Sequence, residues 1–443
     1  MNSAELQSAV DRAAARGGGT VVVPAGIHRM TRLLVLRTGV TLQLERGARL
    51  LGSPRLADHV FEGKLCGMIL ARKARHVRIR GEGTIDGNYR HFFDFHAIHG
   101  LADFNRQAVR GGRGFAATSP DGPVKPKSRP GNMVVFSDCR DVAIEGITLT
   151  GASYWTVHFA DCRGISFRDV NVDNDPSVPN NDGVHMTDCR DAVVRGCRFR
   201  CGDDCVAISG WNRPAGEPEI HLGFTRRSGA CEDITVQDCV MSSRSAAVRI
   251  WSVQSPVRRV RLSNLEIGES NRGIGIFLRG PREIRDVAIS GVRVKTRYHS
   301  GTWWGNAEPL HISAMPGERI ERGRIDRIRV RNFSSVGENG ILIYSHVPGL
   351  IRDVSLEGVS LRIRKGRWSR AKAGYLDLRP TLPELGLMPR TGTGLTAVNA
   401  DSLRIRGLRV RYDSPMPPHM RPGPQFENVR ALEVAGLRET SRT

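Results

Sequence analysis

The chain has 443 residues with 66 Lys and Arg against 45 Asp and Glu, a formal charge of +21, 40% hydrophobic but only 6% aromatic content, and 49 glycines. That composition fits a thin, turn-rich, β-branched core better than a bulky globular one, and no run of about eighteen apolar residues is present to span a membrane. Nine cysteines, an odd count without a Cys-x-x-Cys pair, point away from a zinc site, and no cofactor is expected.

Taken in order, Ser3 to Arg16 places apolar groups at helical spacing until Gly17-Gly18-Gly19 stops them. A helix over about 3–16 would cover the open end of a stacked β structure, whose first layer otherwise exposes unpaired backbone groups. From Thr20 onward come short alternating stretches, Val21-Val22-Val23, Leu33-Leu34-Val35-Leu36 and Val40-Thr41-Leu42-Gln43-Leu44, separated by Pro-Ala-Gly and Thr-Gly turns. An irregular stretch at about 88–130, rich in phenylalanine and glycine, is long for a loop without a task and reads as one wall of a cleft.

Beyond it the chain repeats. Asp138-Cys139-Arg140-Asp141-Val142 is echoed by Asp161-Cys162-Arg163-Gly164-Ile165 and Asp188-Cys189-Arg190-Asp191-Ala192, at steps of 23 and 27 residues. Each unit is a short strand, a polar turn and another short strand, which predicts the rungs of a β-solenoid. Cys139, Cys162 and Cys189 then form an inward ladder of small side chains. A disulfide is left open among Cys197, Cys201 and Cys205.

Within the repeat lie two acidic turns, Asn180-Asn181-Asp182-Gly183 and Gly202-Asp203-Asp204-Cys205, with 21 residues from Asp182 to Asp203. Since stacked strands lie roughly 4.8 Å apart, carboxylates one rung apart converge if both turns point outward. Three such groups resist being ionised together, which is how a protein separates an acid from a base. Asp in either turn alone would be explained by hydrogen bonding to its own backbone; both at one-rung spacing favour chemistry.

A second irregular stretch, about 298–308, carries Trp303 and Trp304 beside Glu308, an arrangement suited to stacking on a sugar ring while accepting from its hydroxyls, or merely to covering the solenoid side. Either Trp303 or Trp304 is expected to face Asp203. A third excursion spans about 365–395, and the rungs fade near residue 437, so that one domain occupies 1–443. The arginines sit at alternate strand positions, as in His76-Val77-Arg78-Ile79-Arg80. This is the pattern of a solvated outer face, and no nucleic-acid or membrane partner is expected, although an acidic polysaccharide would be attracted. The absence of a charged and apolar leader places the chain in the cytoplasm as it stands, or in the periplasm or outside the cell if a leader was removed.

Gly17 to Gly26, Gly81-Glu82-Gly83-Thr84-Ile85-Asp86-Gly87, Tyr154-Trp155-Thr156-Val157-His158 and the two acidic turns together resemble glycoside hydrolase family 28, the polygalacturonase family. The resemblance implies an all-β, right-handed parallel β-helix and an inverting hydrolase of pectin-like or other polysaccharides. It assigns Asp203 to protonating the leaving oxygen and Asp182 and Asp204 to activating water, with Asn180 and His185 beside them. Two family motifs depart. No histidine stands in residues 243–250 where Gly-His-Gly should fall, and Arg-Ile-Lys, which contacts a uronate carboxylate, falls on Gly275-Ile276-Phe277. Arg249 or Arg279 would have to substitute, or the substrate is not a uronate. A non-catalytic carbohydrate-binding or structural β-helix, and a polysaccharide lyase or epimerase, stay open as alternatives.

Overall fold

The computed structural model describes residues 1–98, 120–211, 229–317, 319–369, 375–378 and 387–441. The chain folds as a right-handed parallel β-helix. One sheet stacks twelve described strands, running from Leu34–Leu36 through Val134–Ser137, Val157–Ala160, Val184–Thr187, Val206–Gly210, Ala246–Ser252, Arg272–Leu278 and Glu308–Ala314 to Gln425–Glu427, each parallel to the last. The other faces of the rungs belong to a larger sheet of twenty-one described strands. Alternation sends Val184 and Met186 into a continuous core that runs from Leu6 to Met420, while His185 and Thr187 face the opposite way.

The repeated aspartates have a backbone reason. Asp138, Asp161 and Asp188 all have φ between 50° and 53°, in the left-handed region that Asp and Asn tolerate better than most side chains. Farther along each rung a pair of left-handed residues stands five apart: Asp141 and Gly146, Asp191 and Gly196, Asp233 and Asp238, Asp286 and Gly291, Asp353 and Gly358. These bends turn the chain without ending the strand. Where the sequence reads as short strands, the later rungs therefore hold continuous ones, Cys231–Ser243, Val257–Ser270, Glu283–Thr296, Arg324–Gly337 and Ile351–Ile363. At the first position of this pair two rungs carry arginine, Arg259 and Arg327. Each is held by the aspartate at the same place one rung earlier, Arg259 Nε by Asp233 at 2.7 Å and Arg327 Nε by Asp286 at 2.6 Å.

The N-terminal helix α1, Ser3–Ala15, begins in a capping box in which the Asn2 side chain accepts from the Ala4 and Glu5 amides and Glu5 accepts from the Asn2 amide. Leu6, Val10 and Ala13 are buried on the first rung. The Gln7 amide pairs with open backbone, donating to the Val35 carbonyl at 3.0 Å and accepting from the Val35 amide at 2.8 Å. The open first rung is thereby covered.

All nine cysteines are buried free thiols. Cys139, Cys162, Cys189 and Cys231 form the expected ladder and extend it by a rung, the Cys162 thiol donating to the Phe136 carbonyl and the Cys189 thiol to that of Phe159. No disulfide links Cys197, Cys201 and Cys205. Parallel register puts Cys197 beside Cys239 and Cys201 beside Ser243 on the next rung, and the Cys205 thiol donates to the Ser242 carbonyl. Among the described residues no helix is long and apolar enough to cross a membrane.

Candidate active site

The acidic turns lie at the corner where each rung passes from the larger sheet to the twelve-stranded one. Residues 174–183 connect Asn171–Asp173 to Val184–Thr187, and residues 202–205 connect Arg198–Cys201 to Val206–Gly210. Neither turn tolerates a side chain at its glycine. A Cβ on Gly183 would sit 2.4 Å from the Cys205 carbonyl oxygen, and one on Gly202 would sit 2.1 Å from that of Val178. Asn181, fully buried, stitches the two turns together: its Oδ1 accepts from the Gly202 and Asp203 amides at 2.6 and 3.2 Å, and its Nδ2 donates to the Asp175 carbonyl at 2.8 Å. The Gly183 amide reaches the Asp204 carbonyl at 2.8 Å.

On this base Asp182, Asp203 and Asp204 line one open cleft of about 200 Å³. Arg249, from the next strand, pairs through Nε with Asp204 and lies 3.6 Å from Asp182. Asp182 is buried and also meets His185 Nδ1 at 3.2 Å, while His185 Nε2 lies 2.9 Å from the Ser209 hydroxyl. A tautomer protonated on Nδ1 would donate to Asp182 and accept from Ser209. Asp203 is the half-buried member of the three, with Asn180 Nδ2 at 3.4 Å and the Asp204 amide at 3.0 Å. Burial raises the affinity of all three carboxyls for a proton, and the like charges of the neighbours add to this at Asp182 and Asp203 while Arg249 opposes it. Asp203 is pushed up to about 7.

The walls are aromatic. Tyr154, Trp155, Trp211, Trp251, Phe277 and Trp304 line the cleft together with Asn180 and Arg272. Trp155 stacks on His185 with ring centroids 3.6 Å apart, and the Arg129 guanidinium lies 4.2 Å over Tyr154 while donating to Asn180 at 2.7 Å. Asp121 from the first excursion accepts from the Ser300 amide at 2.9 Å and, through its carbonyl, from Trp303 Nε1 at 3.1 Å, so the described end of that excursion and the 298–308 loop meet on the site's side of the helix. Phe104 and Phe115 of the first excursion lie outside the described residues.

Of the residues expected to touch substrate, Asn180, Arg249 and Trp304 line the cleft. His185 lies beneath it as a support for Asp182 and Trp155. Trp303 is buried against Asp121, which leaves Trp304 as the indole facing the carboxyls. Glu308 is buried 3.4 Å from Arg272 and 3.2 Å from His311, its carboxyl held down to about 2 chiefly by that guanidinium against the opposing effect of burial. Arg279 is also buried outside the lining, donating to the carbonyls of Leu278, Ser313 and Leu378. Sequence reasoning missed Arg272, Trp211, Trp251, Phe277 and Arg129. Register was the missing signal: Ser209, Trp251 and Phe277 are direct neighbours on successive strands, as are Ala207, Arg249 and Gly275.

A right-handed parallel β-helix with three carboxyls converging at one corner of its rungs is the class that fold and site define. The chain belongs to glycosyl hydrolases family 28, whose profile matches residues 20–279. Over 318 residues it is 25% identical to a probable polygalacturonase of Vitis vinifera, covering 67% of this chain and 58% of that relative's length. Its fold is shared with a family 28 exopolygalacturonase of Yersinia enterocolitica at TM-score 0.63 and 14% identity, covering 98% of this chain and 76% of that one. It is shared too with PfbA, a surface adhesin of Streptococcus pneumoniae, at TM-score 0.53 and 11% identity over 97% of this chain and 88% of that one.

Proposed function

We propose that the protein hydrolyses a glycosidic bond in a pectin-like or other polysaccharide or oligosaccharide, with inversion at the anomeric carbon. The observation that carries this is the meeting of Asp182, Asp203 and Asp204 around Arg249 in a ring-lined cleft. Asp203, the most accessible of the three and with a proton affinity raised to near neutrality, gives its proton to the leaving oxygen as the bond from the anomeric carbon breaks. Asp204 and Asp182, held by Arg249 and His185, take a proton from the water whose oxygen bonds to that carbon from the opposite face. Membership of the family supports the reading, as do the roles its motif assigns to these aspartates.

The test is reducing-end release from a panel of plant and bacterial polysaccharides, with anomeric configuration followed by NMR. Release of product with the configuration retained would contradict inversion. A lyase would instead leave an unsaturated ring that absorbs in the ultraviolet, and a binding module would retain its polysaccharide without releasing any end.

A further inference from the structure

The cleft contains guanidinium groups, yet none of those among its described lining residues is available to an incoming anion. Arg249 is shared by Asp204 and Asp182, and Arg272, itself buried, is bonded to Glu308 and to the Asp377 carbonyl at 2.9 Å. Against these two cations stand the ionised pair Asp182 and Asp204 in the lining and a third carboxylate, Glu308, behind it, before Asp203 is counted. A carboxylate entering here would lose its water while meeting a surplus of like charge, a cost that only an unpaired cation offsets.

Beyond Arg272, the strand beside Arg249 presents no polar side chain at positions 275 and 277 either. At 275 there is glycine, and the Phe277 ring folds over it so closely that a Cβ on Gly275 would lie 2.4 Å from the ring carbons. Phe277 in turn has Arg272 and Arg279 at 5.1 and 5.3 Å from its ring centroid, which fixes its position in the wall. Phe277 is 1% exposed and closes the wall, while Trp251 and Trp304, both half-buried, offer flat apolar faces that match the C–H face of a pyranose.

We propose, building on the hydrolase reading above, that the sugar whose glycosidic bond is cut is an uncharged pyranose held by stacking on Trp251 and Trp304, and not a uronate held by its carboxylate. The decisive experiment identifies the sugar at each new reducing end after wild-type protein has acted on polysaccharides containing neutral sugars, uronates or both. A neutral sugar at that end is the expected result. Uronate ends would overturn this proposal and leave the hydrolase reading standing. Failure of folded protein to release any end from the panel would take down both. On the substrate that is cut, Trp304→Leu should raise KM about tenfold with a smaller change in kcat, the loss of one ring contact. Hexuronic acids should not inhibit at concentrations where the released neutral sugar does. An unchanged KM, or inhibition by the uronic acid alone, would remove Trp304 and stacking from the account.

Discussion

Asp203 differs from its two neighbours in its accessibility and in having, among the described residues, no guanidinium at ion-pair distance, and the differences lead to separable expectations. Asp203→Asn should abolish turnover of natural substrates yet keep relatively more activity on a glycoside with a good leaving group such as nitrophenol, which departs without a proton. Asp182→Asn and Asp204→Asn should each cost at least about a hundredfold, the usual scale of acid or base assistance, on both substrate types. Equal losses on both types for Asp203→Asn would remove its role as acid. The same group sets a pH dependence. Its folded-state affinity lies near pH 7 and its unfolded one near pH 4, so between these values the folded chain holds the extra proton and stability falls as pH rises. Asp203→Asn should therefore melt above wild type at pH 8, with the difference shrinking toward pH 4, and wild-type activity should decline above about pH 7. A melting difference independent of pH would contradict the assignment. The acidic pair of turns was legible in the sequence because spacing alone put them one rung apart. The role of Trp304 over Trp303 depends on where a loop folds back, and those of Arg272 and of Arg249 as a partner of carboxyls on strand register, neither of which a local pattern encodes.

Between elements, Arg272 and Glu308 occupy registered positions on adjacent strands and are both about 2% exposed. Removing one charge strands the other, so Arg272→Met should destabilise by about 3–5 kcal/mol, while Arg272→Met with Glu308→Leu should recover much of that in denaturant titrations. No recovery in the double variant would show that the arginine acts through its backbone contact to Asp377. The Glu308 carboxyl is held below its ordinary range, so its stabilising share is present above about pH 4.5 and is lost as pH falls toward 2. Helix α1 was legible from its apolar spacing and glycine stop. The use of Gln7 to pair with the Val35 backbone was not, because an exposed-looking glutamine carries no sign of the edge it will meet.

At the scale of the molecule, the Asp-Cys-Arg repeat disclosed the solenoid, since every rung needs a left-handed residue at the same place. The continuity of the later strands was hidden, because the bends that carry a strand around a corner use the same Asp, Asn and Gly that elsewhere end one. The thiols provide a check on the whole stack. All nine are enclosed, with burial pushing Cys66 and Cys231 up to about 12, so a thiol reagent should find none in the native protein and nine once it is unfolded without reductant. Seven would mean a disulfide.

Asp233, Arg259, Asp286, Arg327 and Asp353 occupy the same left-handed position on five consecutive rungs and alternate in sign. Such a column works as a parity check. If a folding chain skipped one rung within it, aspartate would come to lie on aspartate and arginine on arginine, whereas along these five rungs the native order sets opposite charges side by side. The discrimination is electrostatic and exposed to solvent, so salt should blunt it: refolding yield is expected to fall between low salt and about 1 M, where screening acts within roughly 3 Å, with little matching change in equilibrium stability. A yield indifferent to salt would mean that the rungs count themselves by some other means.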